Sequence, residues 1–156
     1  MRALVLGAYG MLGHKLFSKL SDRFDVYSTA RTKQKHPWSS EADYDNIIGG
    51  VDAFEPGSVE GVVDRLAPEV IINCIGLIKQ LGSSSDPVDM MYLNSVLPHK
   101  LSNIAKEHDA RLIHFSTDCV FSGKRGMYTI SDHSDAEDLY GRTKYLGEVP
   151  YNNCLT

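Results

Sequence analysis

A chain of 156 residues with 42% apolar and 23% charged side chains is long enough to bury a real core, and one domain is the starting expectation. Acidic and basic residues are mixed along the chain and sum to a net charge of −4, which speaks against a nucleic-acid binder. No apolar run approaches the ~18 to 20 residues of a membrane span, and the start, MRALVLGAYG, reaches its glycines too early for a signal peptide. A cytoplasmic protein without a membrane partner is expected.

Apolar runs of strand length alternate with helix-length segments of period near 3.6, the pattern of a parallel sheet with crossover helices. RALVLG (Arg2 to Gly7) predicts a first strand. MLGHKLFSKL (Met11 to Leu20) predicts a helix with Leu12, Leu16 and Leu20 on one face. DVYSTA (Asp25 to Ala30) is the second strand, and the polar stretch Arg31 to Asn46, with Pro37 and no clear period, reads as loop. NIIGGVDAF holds room for a short strand. Ser58 is the expected cap of a helix carrying Val59, Val62, Val63 and Leu66, which stops at Pro68.

EVIINCIG (Glu69 to Gly76) predicts a buried strand, and Asp86-Pro87 opens a long helix to about His108. Its apolar stripe is expected to be Met90, Met91, Leu97, Leu101, Ile104 and Ala105. RLIHFST (Arg111 to Thr117) is the next strand, followed by a Gly- and Asp-rich loop to Asp138 and a helix opening in LYGRTKYLGE. YNNCLT reads as a strand just starting. The fold class is therefore α/β, a doubly wound parallel sheet whose ligands bind beyond the carboxyl ends of the strands.

Gly7-Ala8-Tyr9-Gly10-Met11-Leu12-Gly13 is Gly-x-x-Gly-x-x-Gly between a first strand and a first helix. Glycines there let backbone N–H groups at the helix start approach a pyrophosphate, and the last lets helix and sheet pack closely. Dinucleotide binding is the expectation, a mere tight turn the alternative. An acidic residue after the second strand would favour NAD; this chain has Arg31, which points to NADP(H) unless it is a solvated loop residue. NAD(H) stays possible. Asp52 either accepts from the adenine amino group or only caps its loop.

Tyr140 and Lys144 lie four apart on the last helix, so they share a face. With eight Tyr and nine Lys in the chain, about half a Tyr-x-x-x-Lys match arises by chance, so the pair needs its context. That context is a set of matched blocks. Gly7-x-x-Gly10-x-x-Gly13, VIINCIG, HFSTDCVFSG and YGRTKYLGE together resemble the extended short-chain dehydrogenase/reductase family, and within it the dTDP-4-dehydrorhamnose reductase branch of sugar-nucleotide reductases.

The resemblance implies a Rossmann-like, NAD(P)-binding domain and catalysis by Thr117, Tyr140 and Lys144: a hydroxyl donor, a proton donor and a tuning cation. It implies cofactor contacts from Gly7, Tyr9, Gly10, Met11, Leu12, Gly13, Arg31, Asp52, Asn73, Cys74, Ile75, Gly76, Asn94, Tyr140 and Lys144. The expected reaction is NADPH-dependent reduction of a nucleotide-linked 4-keto-6-deoxy sugar, with epimerase chemistry or a non-catalytic NADP-binding regulatory or scaffold subunit as alternatives. A homodimer is possible. The family's dehydratases carry an Asp-Glu pair after the Thr; Asp118-Cys119 supplies no such base, because a thiol ionises near 8.5. Cys119 also departs from the aromatic usual in the reductase branch.

Family members run on for roughly as long again, so residues 1–156 are expected to be the N-terminal NAD(P)-binding fragment of a longer chain, lacking the C-terminal substrate lobe and inactive alone. Cys74, Cys119 and Cys154, odd in number and far apart, are expected to be buried reduced thiols, with no metal site. The six histidines are expected to be packing or surface residues.

Overall fold

The computed structural model describes residues 1–36, 40–78 and 86–156. Six strands form one parallel sheet: β1 (Arg2–Leu6), β2 (Asp25–Thr29), β3 (Ile47–Ile48), β4 (Val70–Asn73), β5 (Arg111–His114) and β6 (Cys154–Leu155). Their order is β3-β2-β1-β4-β5-β6, so the chain winds outward one way from β1 to β3, then returns to lay β4 on the other side of β1. This doubly wound arrangement is the one expected from the sequence.

β1 reads as a continuous apolar run because both of its faces are covered. Leu4 and Leu6 enter a core with Ile71, Leu112, Val59, Val63, Leu97 and Leu101. Ala3 and Val5 enter the opposite one with Phe17, Val26 and Ile72. Each fully buried Leu or Val of this kind contributes about 1.5–3 kcal/mol. On the first face lie α3 (Pro56–Leu66) and α5 (Leu97–Glu107), and on the second α1 (Met11–Ser21).

Details depart from the sequence expectation. In α1 the buried residues are Gly13 and Phe17, with Leu16 and Leu20 packed beside them, while Leu12 is exposed. A five-residue α2 (Glu41–Asp45) stands inside the stretch expected as loop, where the Ser40 backbone N–H and hydroxyl both donate to Asp43 and the Asp43 N–H donates back to the Ser40 hydroxyl. That is a reciprocal cap. Pro37 lies outside the described residues. Ser58 sits within α3, where its hydroxyl donates to the Asp52 carbonyl (2.7 Å) and accepts from the Asp52 N–H (3.0 Å).

The long helix from Asp86 is three pieces: α4 (Pro87–Met91), a π-helical turn (Tyr92–Val96) and α5. β5 stops at His114, so Ser116 and Thr117 belong to the connection beyond it, which runs through a 3₁₀ turn (Asp118–Val120) toward α6 (Leu139–Leu146). The loop before α6 is held by Asp135, which accepts from the Ser122 N–H and hydroxyl (2.7 Å each) and from Tyr128 (2.8 Å). Arg125 pairs with Asp132 at 2.5 Å and, with the Thr129 N–H, holds that carboxyl down to about 2. All three cysteines are free and half-buried, less covered than expected. Among the described residues, no helix is long and apolar enough to cross a membrane.

Candidate active site

The carboxyl ends of β1 and β4 are neighbours at the point where the winding reverses, and a cleft of about 640 Å³ opens there. One wall is the turn after β1. Gly7 takes φ +95°, a left-handed conformation that L side chains rarely adopt. The Ala8 N–H donates to the Thr29 carbonyl at 2.8 Å, tying the turn to the end of β2. Gly10 precedes α1 without any side-chain cap, and a Cβ at Gly13 would run into the Gly7 carbonyl oxygen. The first helix therefore presses onto the strand end, and its first amides are unobstructed by a capping side chain.

The opposite wall comes from β2 and the loops beyond β3 and β4. Of the residues proposed from sequence for the cofactor, Gly7, Tyr9, Gly10, Arg31, Asp52, Ile75 and Gly76 line this cleft. The Asp52 carboxylate accepts from the Phe54 N–H (3.0 Å), so loop capping is one of its tasks while it faces the cleft. Ala30, Thr32, Gln34, Phe54 and Leu77 line it as well and were missed, because loop residues carry no periodic signal; Leu93, on the π-helical turn, also lines it.

Several named residues lie outside that wall. Met11 and Leu12 are exposed on α1, and Cys74 packs by backbone and Cβ against the glycine turn, with burial pushing its thiol up to about 11. The Asn94 amide is spent on Leu77, accepting from its N–H and donating to its carbonyl, 2.9 Å each, with a further 3.3 Å contact to the Thr143 hydroxyl. It braces the loop after β4 against α6. Asn73 is likewise buried: its Oδ1 accepts from the Ile75 N–H (3.0 Å), which turns its Nδ2 toward His114 Nδ1 at 3.1 Å.

That orientation makes Nδ1 the acceptor and leaves the imidazole proton on Nε2. His114, expected only to pack, is thus part of the surroundings of Lys144, whose Nζ lies 3.4 Å from Nε2 and donates to the Phe115 carbonyl at 2.5 Å. Burial, the Lys144 charge and His99 push His114 down to about 3. Burial lowers Lys144 from the usual ammonium range, partly opposed by Glu148.

Tyr140 and Lys144 stand one turn apart on α6, which begins with the Asp138 carboxylate accepting from the Gly141 N–H (2.9 Å). Tyr140 is half-buried and Lys144 buried. The Thr117 hydroxyl accepts from the Cys119 N–H (3.2 Å), capping the 3₁₀ turn, and lies 3.3 Å from Asp118 Oδ1. A second hollow of about 410 Å³, lined by Cys119, Phe121, Ser122, Ala136, Glu137 and Asp138, opens beside that turn. Thr117, Tyr140 and Lys144 line neither hollow.

A doubly wound sheet with a glycine turn at its reversal point defines a Rossmann-like α/β protein. The family model described as the RmlD substrate binding domain matches residues 1–153, and the chain belongs to that family, in keeping with the resemblance read from its motifs. Relatives include the dTDP-4-dehydrorhamnose reductase of Streptomyces griseus, 31% identical over 148 residues that cover 94% of this chain and 43% of the relative. The methionine adenosyltransferase 2 subunit beta of Xenopus tropicalis is 30% identical over 159 residues, covering 97% and 43%. A hypothetical dTDP-4-dehydrorhamnose reductase from Sulfolobus tokodaii superposes with a TM-score of 0.77 at 26% identity, over 94% of this chain and 50% of that one. The chain spans about half the length of the relatives it matches.

Proposed function

We infer that this chain is the cofactor-binding half of an NADPH-dependent reductase acting on a nucleotide-linked 4-keto-6-deoxy sugar. The observation that carries the reading is the cleft itself, lined both by the glycine turn, whose helix start has no side-chain cap, and by Arg31. Those features suit a pyrophosphate and a 2′-phosphate respectively. NAD(H) would fill the same cleft without using Arg31.

When bound, the reduced nicotinamide supplies a hydride to the C4 carbonyl of the sugar. The Tyr140 phenol gives its proton to the oxygen on which charge develops, completing the alcohol. Thr117 donates a hydrogen bond to the same oxygen. The Lys144 ammonium, one helical turn from Tyr140, stabilises the phenolate left behind. Asn73 and Asn94 act behind these groups, fixing the loop after β4 and its contact with α6.

The test is consumption of NADPH, followed by its absorbance, by the full-length gene product offered dTDP-, UDP- and GDP-linked 4-keto-6-deoxy sugars. Tyr140→Phe is expected to cut kcat about 100-fold or more while leaving NADPH affinity within about twofold. Equal turnover by both proteins would reject the assignment of Tyr140. A second reading has the likeness to an adenosyltransferase beta subunit in its favour: a regulatory subunit that binds NADP without turnover. NADPH binding with no consumption across the substrate panel selects that reading.

A further inference from the structure

The glycine turn carries one large side chain, and the structure uses it to grip a distant residue. The Tyr9 hydroxyl accepts from the Gln34 N–H (2.9 Å) and donates to the Gln34 carbonyl (2.7 Å), while its ring stacks on His36 with centroids 6.1 Å apart. Pyrophosphate binding has no use for this phenol, because amides do that work. What the grip fixes is the segment after β2.

That segment is basic: Arg31, Lys33 and Lys35 fall within five residues. Its inner end is tied by main-chain bonds from the Gly50 N–H to the Arg31 carbonyl (3.0 Å) and from the Val51 N–H to the Ala30 carbonyl (3.1 Å). Tyr9 ties it three residues further on. Arg31 and Thr32 face the cleft, while the ammonium groups of Lys33, between the anchors, and Lys35, just past the second, lie over the Tyr44 ring, 4.4 and 5.5 Å from its centre. Through these contacts Tyr44 holds the strap from outside the cleft, whose lining includes neither lysine.

We propose that Tyr9 sets the selectivity of the cleft for an adenine dinucleotide bearing a 2′-phosphate, by clamping the Arg31 to Lys35 strap so that Arg31 stays at the cleft where that phosphate would lie. The proposal rests on the reading that the cleft holds a dinucleotide. A flexible strap would reach the phosphate only after losing chain entropy; the clamped one is already in place. Tyr9 is a positioning residue, and its effect belongs to the 2′-phosphate alone.

Two probes separate the ideas: adenosine 2′,5′-bisphosphate and adenosine 5′-monophosphate, titrated calorimetrically into the wild type, Tyr9→Phe and Tyr44→Leu, with thermal melts confirming that each variant folds. The wild type is expected to prefer the bisphosphate. Tyr9→Phe is expected to weaken the bisphosphate about tenfold and the monophosphate by less than about twofold. Tyr44→Leu, which leaves the glycine turn untouched, is expected to give the same selective loss, and it decides the matter if Tyr9→Phe does not fold. Equal weakening of both probes, or no change in either, overturns the clamp while leaving the dinucleotide reading intact. A wild type without preference overturns the 2′-phosphate assignment, and a wild type that binds neither probe nor NADP⁺ rejects the dinucleotide reading itself.

Discussion

His114 lies between Asn73 and Lys144 in the interior, and its protonation state is coupled to folding. The unfolded chain binds a proton on this ring near 6.5, whereas the folded chain, with the ring buried beside Lys144, binds it only near 3. Between those values the unfolded state holds the extra proton, so the stability from the neutral ring is complete above pH 6.5 and is lost as pH falls toward 3. Urea denaturation should show His114 costing about 2 kcal/mol on going from pH 7 to pH 4.5, and His114→Gln should flatten that dependence. An unchanged pH slope in the variant would show that other groups carry it. The same residue marks the limit of reading a site from sequence. Thr117, Tyr140 and Lys144 could be proposed from the sequence because neighbouring blocks frame them. His114 and Gln34 were not, since what matters is a partner 30 or 25 residues away.

The helix leading to the site shows a second limit. The stripe expected from the sequence includes Met91, but Met91 is 44% exposed, while Leu93 at 7% and Asn94 at 0% are buried. Leu93 and Asn94 follow Met90 by three and four residues and so share its buried face, whereas Met91, the next residue along, is turned away from it. From Leu97 onward the expected residues Leu97, Leu101, Ile104 and Ala105 are indeed buried. On that face the Asn94 amide reaches Leu77 and Thr143. Removing that amide leaves the two polar groups of Leu77 without their partner. Asn94→Ala should cost about 2–3 kcal/mol, and Asn94→Asp at least as much, because a carboxylate keeps the Leu77 N–H but opposes its carbonyl. Chemical denaturation of the two variants checks the ranking. Glycines, apolar runs and the Asp138 start of α6 were readable element by element; the π turn, which leaves no compositional trace, was not.

At the scale of the whole molecule, the parallel sheet and its winding were legible, since alternating strands and helices admit few other architectures. Less legible was how completely the cleft depends on long-range pairing. One wall belongs to the turn after β1, one to the residues after β2, and the third to the loop after β4, some seventy residues further along the chain. NADP⁺ should therefore slow amide exchange in residues 7–10, 29–32 and 74–77 together. Protection confined to the glycine turn would contradict a ligand spanning the cleft.

The placement of β4 beside β1 carries its own consequence. During synthesis the glycine turn emerges early, yet the backbone of Cys74 that closes on Gly7 and Gly10 arrives only after three helices have been made. A nascent polypeptide halted before Val70 would display an intact fingerprint and capture no nucleotide. Affinity for the coenzyme is thus a late-maturing property, and its onset would time the docking of the fourth strand on the ribosome.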